Sequence, residues 1–411
     1  MAEILGMISS QRGSETDPVT GPAVDPGWIR DFARAHEEAG FDRVLIGYSS
    51  ASPDGFAIAS AVLQATERLG VLIAHRPGFV APTVLGRKLA TLDHLSGGGR
   101  VAVHHISGGS DAEQARDGDY STKPERYSRT AEFMQVLRKA LNSSEPFDYA
   151  GDFYRVADAN SAVHPVHPGG IPLWFGGLSE DAVRVGGEHA DVYALFGEPK
   201  AQVADRIAAI RAVAERTGNH GLSFSLSTRP VVGVTEDEAW AKAEAYLEQA
   251  AHNKAAGAED NPLRLRHKAS DERTAESADR LQRLAHQRDV HDERLWFGIT
   301  KLMGPQGNSS GHVGTGQQVA DSLLEYWHLG VQNFLIRGFD QLGDVQDWGE
   351  HLIPHLRAGI VARLSVGCGA GNGVAADSSN PGSAIVGSSA GAGSRASVDS
   401  SARTASAGLR S

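Results

Sequence analysis

The chain has 411 residues, of which 41% are hydrophobic and 22% are charged, a composition typical of a globular protein with a large apolar core. Its formal net charge of -11 argues against nucleic acid or an anionic membrane surface as the main partner. The single cysteine, Cys368, excludes an intrachain disulfide, and the absence of a signal-peptide core or of an apolar run of roughly 20 residues predicts a cytoplasmic protein.

Short apolar runs alternate with amphipathic stretches along the first part of the chain. The apolar runs predict strands at residues 3–8, 43–46, 69–75 and 100–106. The amphipathic stretches predict helices at residues 28–39, 55–66, 83–95 and 125–141. Residues 147–156 predict a small hairpin that decorates the fold.

The alternation continues in the second part of the chain. Strands are predicted at residues 172–176, 192–195, within 222–234 and at 333–336. Helices are predicted at residues 177–188, 201–217, 236–250, 317–329 and 342–356, and a glycine-rich loop at 304–316 follows the apolar run 296–303. Residues 252–294 are highly charged and poor in large apolar side chains, which favours a mobile lid insertion over a regular element.

Eight strands that alternate with helices predict an α/β fold, most simply a (β/α)8 TIM barrel with insertions over residues 1–358. A doubly wound open sheet is the alternative. From about Gly359 the composition changes to glycine, serine and alanine, and no aromatic residue follows Trp348. Residues 359–411 are therefore predicted to be a disordered tail, because they cannot bury enough apolar area to offset their ordering entropy.

Two glycine-rich turns follow predicted strands, one beginning at Ser107 and the other running through Gly177 to Ser179. Backbone N–H groups and a hydroxyl at a helix start can bind phosphate, although a tight barrel turn is the better explanation of either turn taken alone. Lys123 and Tyr127 downstream add weight to a phosphate site. Neither turn contains a dinucleotide or nucleoside triphosphate fingerprint.

Other polar residues lie at the predicted strand ends. His104 and His105 are adjacent on one strand and so face opposite ways, and no acidic cluster accompanies them, which favours hydrogen bonding over metal binding. Ser52 follows the second strand without an obvious base. Arg229 lies in the apolar seventh strand, where it is either an anion ligand at the barrel mouth or an edge residue that reaches water; we favour the anion ligand.

An ordered series of motifs identifies a family resemblance over residues 1 to about 358. The motifs are Arg76-Pro77, Pro82-Thr83, residues 90–96, 107–111, 125–127, 175–179, 197–199, 237–240 and 337–339. With them the chain resembles the bacterial luciferase-like flavin monooxygenases, and is most similar to the FMNH2-dependent alkanesulfonate monooxygenase branch.

The resemblance implies a (β/α)8 barrel that binds reduced FMN at its C-terminal mouth and receives it from a separate NAD(P)H-dependent FMN reductase. With O2, such enzymes cleave the carbon–sulfur bond of a small organosulfur substrate and release an aldehyde and sulfite. Dimers or tetramers are implied, and residues 252–294 match the mobile lid of the family.

The resemblance also implies roles for individual residues. Tyr127, Ser179 and the Gly177 turn match the positions that hold the FMN phosphate, with Lys123 where relatives often have histidine. Ser107 and His104 match positions beside the flavin ring, and His104 is a candidate catalytic residue.

The chain departs from the branch on the substrate side. Ser52 occupies the position of the active-site cysteine and Arg229 that of the strand-seven histidine, whereas two family arginines are replaced by Ser227 and Met303 and a late tyrosine by Phe339. Arg229, Lys301 and Arg337 could rebuild an anion pocket, with Lys301 and Met303 on one face if their run is extended.

Three other functions stay open at this stage. The substrate could be neutral, such as a sulfone. The barrel could instead host an F420-dependent oxidoreductase, or the chain could bind flavin without chemistry.

Overall fold

The computed structural model describes residues 2–108, 110–258, 276–304 and 310–369. These residues form fourteen β-strands: β1 (Ile4–Ile8), β2 (Arg43–Ile46), β3 (Gly70–His75), β4 (Val101–His105), β5 (Phe147–Ala150), β6 (Arg155–Ala159), β7 (Leu173–Gly176), β8 (Val192–Phe196), β9 (Ser223–Thr228), β10 (Val231–Gly233), β11 (Val290–His291), β12 (Leu295–Trp296), β13 (Gly311–Thr315) and β14 (Val331–Ile336). They also form thirteen α-helices: α1 (Pro26–Glu38), α2 (Gly55–Ala65), α3 (Pro82–Leu95), α4 (Asp111–Arg116), α5 (Lys123–Asn142), α6 (Glu180–His189), α7 (Lys200–Thr217), α8 (Glu236–Ala255), α9 (Glu276–Gln287), α10 (Gly298–Met303), α11 (Gly316–Leu329), α12 (Gln341–His351) and α13 (Ile353–Gly369).

Eight of the strands close into a barrel in the order β1-β14-β9-β8-β7-β4-β3-β2, and every neighbouring pair is parallel. Closure comes from β1 and β14, where Ile4 pairs with Phe334. The predicted (β/α)8 barrel is therefore confirmed, and the open sheet is excluded. In such a barrel all strands end at the same face, so the polar residues that follow them meet there.

The alternation of side chains along each strand divides the apolar residues between two layers. Inward-facing residues fill the barrel interior and form one cluster: Leu5, Leu72, Ala102, Trp174 and Val192. Their neighbours face the helices, as Ile4 and Val71 do, and join the larger cluster between barrel and helices. The barrel interior is thus a packed core rather than a pore, and in this fold ligands bind beyond the strand ends.

The segment at residues 222–234 is divided between two sheets. β9 belongs to the barrel, and β10 pairs with β13 in a separate small sheet that continues through β12 to β11. Pro230 separates the two strands, and it cannot donate a backbone hydrogen bond to a ladder. The sequence predicted one strand here and a loop where β13 lies. The hairpin of β5 and β6 was predicted correctly.

Part of the predicted lid is regular structure. α8 extends to Ala255, α9 occupies residues 276–287, and residues 259–275 lie outside the described part of the chain. α9 packs through Leu281 and Leu284 against Leu295 and Phe297. The mobility of this insertion stays a prediction.

The last predicted helix is two helices, which meet at Leu352. Pro354 explains the break, because proline disfavours helical backbone in the residue before it and lacks an N–H. α13 then continues to Gly369, past the predicted end of the barrel domain at residue 358, and Ile360 is buried in the main core. The predicted disordered residues 370–411 lie outside the described part, and no described helix combines the length and apolarity needed to cross a bilayer.

Candidate active site

A cavity of about 440 Å³ opens at the face where the barrel strands end. It is lined by all five residues predicted to bind a cofactor together with two others of the predicted site: Ser107, Lys123, Tyr127, Gly177, Ser179, His104 and Arg337. A wider groove of about 710 Å³ is lined by residues at the C-terminal ends of α5, α6 and α7. Those helix ends lie at the opposite face of a (β/α)8 barrel, away from the loops that carry chemistry in this fold.

One wall of the cavity is the turn between β7 and α6. Ser179 is the N-cap of α6, and its hydroxyl accepts a hydrogen bond from the N–H of Ala182 at 3.3 Å. Gly177 has φ +148°, and a Cβ there would lie 2.6 Å from the Cβ of Ala182, so only glycine fits. The free N–H groups and positive dipole of the helix start make this wall suited to an anion.

The first turns of α5 complete that wall. Lys123 begins the helix and Tyr127 follows four residues later, so both side chains lie on one face. The Tyr127 hydroxyl lies 3.5 Å from where a Gly177 Cβ would be. Burial raises the pKa of Tyr127, partly offset by the Ser179 hydroxyl, so the phenol is protonated at neutral pH and can donate.

α5 also fixes the loop that follows β4. Arg126 is buried and donates from Nε to the carbonyl of Ser107 at 3.1 Å and from Nη2 to Asp111 at 2.7 Å. The hydroxyls of Ser107 and Thr130 are 3.0 Å apart, and Thr130 donates to the carbonyl of Arg126 at 2.7 Å. The Ser107 side chain is therefore held at the cavity by its own hydrogen-bond chain.

The predicted opposite orientation of the adjacent histidines is confirmed. His104 lines the cavity, whereas His105 lies in the layer behind it, with ring centroids 5.9 Å from His75 and 5.5 Å from Phe133. Burial lowers the pKa of His104 to about 4, so its ring is neutral at pH 7, and its buried Nδ1 has no hydrogen-bond partner among the described residues. Within that part of the chain, no three His, Cys, Asp or Glu side chains cluster to hold a metal ion.

Arg229 was predicted to bind an anion at the barrel mouth, and the structure instead pairs it with Glu15. Its Nη1 and Nη2 lie 3.1 and 3.0 Å from the two carboxylate oxygens, both side chains are 3% exposed, and neither residue lines the cavity. Nη2 also donates to the carbonyl of Gly338 at 2.8 Å, and the guanidinium lies 3.6 Å from the centre of the Phe339 ring. The turn after β9 directs the Arg229 side chain towards Glu15 in the loop between β1 and α1.

The two carboxylates suggested as structural partners of Arg229 are engaged elsewhere. Asp54 caps α2, and Glu198 pairs with Arg280 of α9 at 2.7 Å.

Two further predicted site residues lie away from the cavity lining. The Ser52 hydroxyl accepts from the N–H of Ser49 at 3.0 Å and lies 2.7 Å from its hydroxyl, which makes it part of a local turn. Lys301 is half exposed and pairs with Asp289 at 2.8 Å. Because Gly298–Met303 is helical rather than extended, Lys301 and Met303 do not share a face.

Arg76 is a charged lining residue to which sequence reasoning gave no role in the site. It follows the fully buried strand β3 and is itself 4% exposed. The signal was an arginine directly after an uninterrupted apolar strand, which places a buried cation at the ligand-binding face. Glu276, at the start of α9, also lines the cavity.

Solved structures with the same fold include a lyase, a monooxygenase and a dehydrogenase. A riboflavin lyase (RcaE), solved with a modified FMN and riboflavin, aligns with a TM-score of 0.68 and 20% identity over 87% of this chain and 92% of that one. The EDTA monooxygenase (EmoA) of Chelativorans sp. BNC1 aligns at 0.64 and 19% over 87% and 94%. An F420-dependent secondary alcohol dehydrogenase aligns at 0.60 and 19% over 87% and 100%. At such identities the likeness concerns the fold.

The family assignment comes from the sequence profile. The profile of the luciferase-like monooxygenases matches residues 5–333, which include six of the seven predicted site residues at the cavity; the seventh, Arg337, lies beyond the matched range. The wall formed by Lys123, Tyr127, Gly177 and Ser179 lies entirely inside the matched range. With most of the chain matched, the protein belongs to the luciferase-like monooxygenase family.

Proposed function

We propose that this chain is an FMNH2-dependent, two-component monooxygenase that uses O2 to cleave the carbon–sulfur bond of an alkanesulfonate or a related organosulfur compound, with an aldehyde and sulfite as products. One observation carries the proposal: the anion-binding wall of Lys123, Tyr127 and Ser179 and an apolar recess belong to the same cavity at the barrel mouth. FMN has the matching parts, a phosphate and a flat, largely apolar ring.

The residues present fit FMN. The close approach of Gly177 to Ala182 leaves the α6 start uncovered by a side chain, as a phosphate site requires. Near the ring position, the unpartnered Nδ1 of His104 provides a polar atom for the flavin edge. Ile106, Leu178 and Ala194 supply apolar contacts.

Reduced FMN, when bound, would react with O2 and deliver one oxygen atom to the substrate. The chain would bind the phosphate through Ser179, Tyr127 and Lys123, whose charge offsets that of the phosphate. His104, neutral at working pH, would hold a proton on one ring nitrogen and orient the flavin. Met7, Leu45 and Leu335 at the other side of the cavity would exclude water from the reacting groups.

The proposal includes a separate NAD(P)H-dependent FMN reductase as the source of reduced flavin, since neither glycine-rich turn carries a dinucleotide fingerprint. A homo-oligomer, dimeric or tetrameric, is also proposed on the family pattern.

The second candidate is an F420-dependent oxidoreductase. Its support is that an F420-dependent alcohol dehydrogenase shares the fold over its full length.

A turnover assay tests the proposal and separates these candidates. The purified protein, FMN, a flavin reductase, NADH and oxygen are incubated with octanesulfonate or with a dialkyl sulfone, and sulfite, sulfinate and aldehyde are measured. We expect sulfite and aldehyde that depend on all components. Turnover with F420 and an alcohol, but none with reduced FMN, would establish the second candidate instead.

Removing either hydroxyl at the anion-binding wall should weaken FMN binding. Tyr127→Phe or Ser179→Ala each loses a hydrogen bond to a charged group, about 1.5–3 kcal/mol, which corresponds to roughly tenfold to a hundredfold in Kd. Fluorescence titration of FMN measures the effect. Thr235→Ala is the matched control for Ser179→Ala, because it removes the N-cap of α8 away from the cavity. Unchanged FMN affinity in both site variants would contradict the phosphate placement.

A further inference from the structure

The Arg76 guanidinium is buried at the cavity with its hydrogen-bonding capacity partly unused. Nη2 pairs with Glu113 at 2.6 Å, and Nη1 lies 3.8 Å from a carboxylate oxygen of Asp117. Nε and Nη1 have no hydrogen-bond partner among the described residues. A buried donor without an acceptor is costly, and more so when it is charged. An acceptor supplied by a ligand would satisfy these nitrogens.

The surroundings of Arg76 hold the guanidinium from the side away from the cavity. The Tyr48 ring centre lies 4.8 Å from its Cζ, and the Tyr48 hydroxyl donates to Asp117 at 2.9 Å. Glu113 also accepts from the N–H of Ser50 at 3.1 Å. Burial, together with Asp117, raises the pKa of Tyr48 to about 12, so it remains a donor. Neither carboxylate lines the cavity, which places the cation between them and the ligand space.

The cavity as a whole favours an anion. Its charged lining residues are three cations, Arg76, Lys123 and Arg337, and one anion, Glu276, so cations outnumber anions in the lining itself. Lys123 belongs to the FMN phosphate wall. Arg76 and Arg337 follow β3 and β14, which are separated in the barrel only by β2 and β1.

The two intervening strands contribute Leu45 and Met7 to the cavity. This side thus combines two guanidinium groups with an apolar surface. We infer that Arg76 is the specificity-determining residue of the substrate side and binds the acid group of an amphipathic organic anion, such as an alkanesulfonate or a fatty acid carboxylate. The inference depends on the proposed function in one respect: it takes FMN as the cofactor that occupies the same cavity.

Binding measurements test this role without turnover. The protein with dithionite-reduced FMN is titrated anaerobically by calorimetry with octanesulfonate and, as the uncharged match, octanol. We expect octanesulfonate to bind at least roughly tenfold more tightly than octanol. Arg76→Lys keeps the charge but loses the planar donor fork, and should weaken octanesulfonate roughly tenfold to a hundredfold while FMN affinity stays unchanged.

Glu113→Gln is the matched variant with the opposite sign. It keeps an acceptor for the Ser50 N–H but removes a carboxylate that competes for Arg76, so octanesulfonate should bind several-fold more tightly. If Arg76 only anchored α4, this variant would leave octanesulfonate affinity unchanged or lower it, and that result overturns the inference. Glu113→Gln also tests the inference if the Arg76→Lys variant fails to fold.

Two further outcomes separate the explanations. Parallel losses of FMN and octanesulfonate affinity in Arg76→Lys would assign the arginine to the flavin and overturn the inference. Arg76-dependent binding of octanesulfonate without sulfite release in the turnover assay would leave the inference standing and refute the proposed reaction.

Discussion

Replacing Arg229 with alanine should lower the free energy of unfolding by about 3–5 kcal/mol, because the buried ion pair between Arg229 and Glu15 would be broken. Both side chains are 3% exposed, and the pair joins loops that are distant in sequence. The carbonyl of Gly338 would lose a donor, and the Phe339 ring would lose its cation. Chemical denaturation followed by circular dichroism measures the change.

A double variant, Arg229→Leu with Glu15→Leu, is the control. Replacing both charges with apolar groups leaves no buried ion unpaired, so it should recover a large part of the stability that the single variant loses. The same variants report on function. If Arg229→Ala kept its stability but lost turnover, the guanidinium would act on the substrate, and its pairing with Glu15 would be incidental.

Lowering the pH from about 7 to about 5 should destabilise the fold by several kcal/mol. Burial lowers the pKa of four histidines from 6.5 to about 3 or 4: His36, His75, His104 and His312. Their folded-state pKa is depressed, so the unfolded chain binds more protons below pH 6.5. The stability they contribute is present above that pH and is lost as the pH falls towards 4. Each contributes roughly 2 kcal/mol over this range.

A single variant isolates one of these protons. The His75 ring contacts Phe133 and His105, and neither of its nitrogens has a hydrogen-bond partner in the described part of the chain. His75→Gln stays neutral at every pH, so the slope of unfolding free energy against pH between about 5 and 6 should fall by roughly 1.4 kcal/mol per pH unit. An unchanged slope would show that His75 titrates normally in the fold.

The barrel was predictable because its signals are local. Most of the eight strands are apolar runs bounded by turn residues, and each falls where the sequence placed it. The short strand β13 was not predicted, because Gly311–Thr315 contains glycine and histidine and is buried through its pairing with β10 and β12. Such pairing is set by tertiary contacts rather than by periodicity.

The same distinction between local signals and tertiary contacts applies to the candidate site. The positions of Ser179 and Tyr127 were predictable because one is the start of a helix and the other lies on a helix face. Both features have regular geometry and can be recognised from residue spacing. The partner of Arg229 lies 214 residues away in the irregular loop before α1, and no local pattern could specify it. Lys301 was misplaced for a third reason: an apolar run of six residues fits a short helix as well as a strand.

The hydroxyl chain behind Ser107 fixes which way its proton points. Thr130 has one hydroxyl proton, and it is donated to the carbonyl of Arg126, so the Ser107 proton must be donated to Thr130. What Ser107 offers the cavity is then a lone pair, and a ligand edge beside it must carry a hydrogen. An isoalloxazine ring gains N–H groups when it takes up two electrons. If FMN binds here as proposed, the fixed polarity of the Ser107 hydroxyl would favour the reduced over the oxidised ring without any movement of the protein.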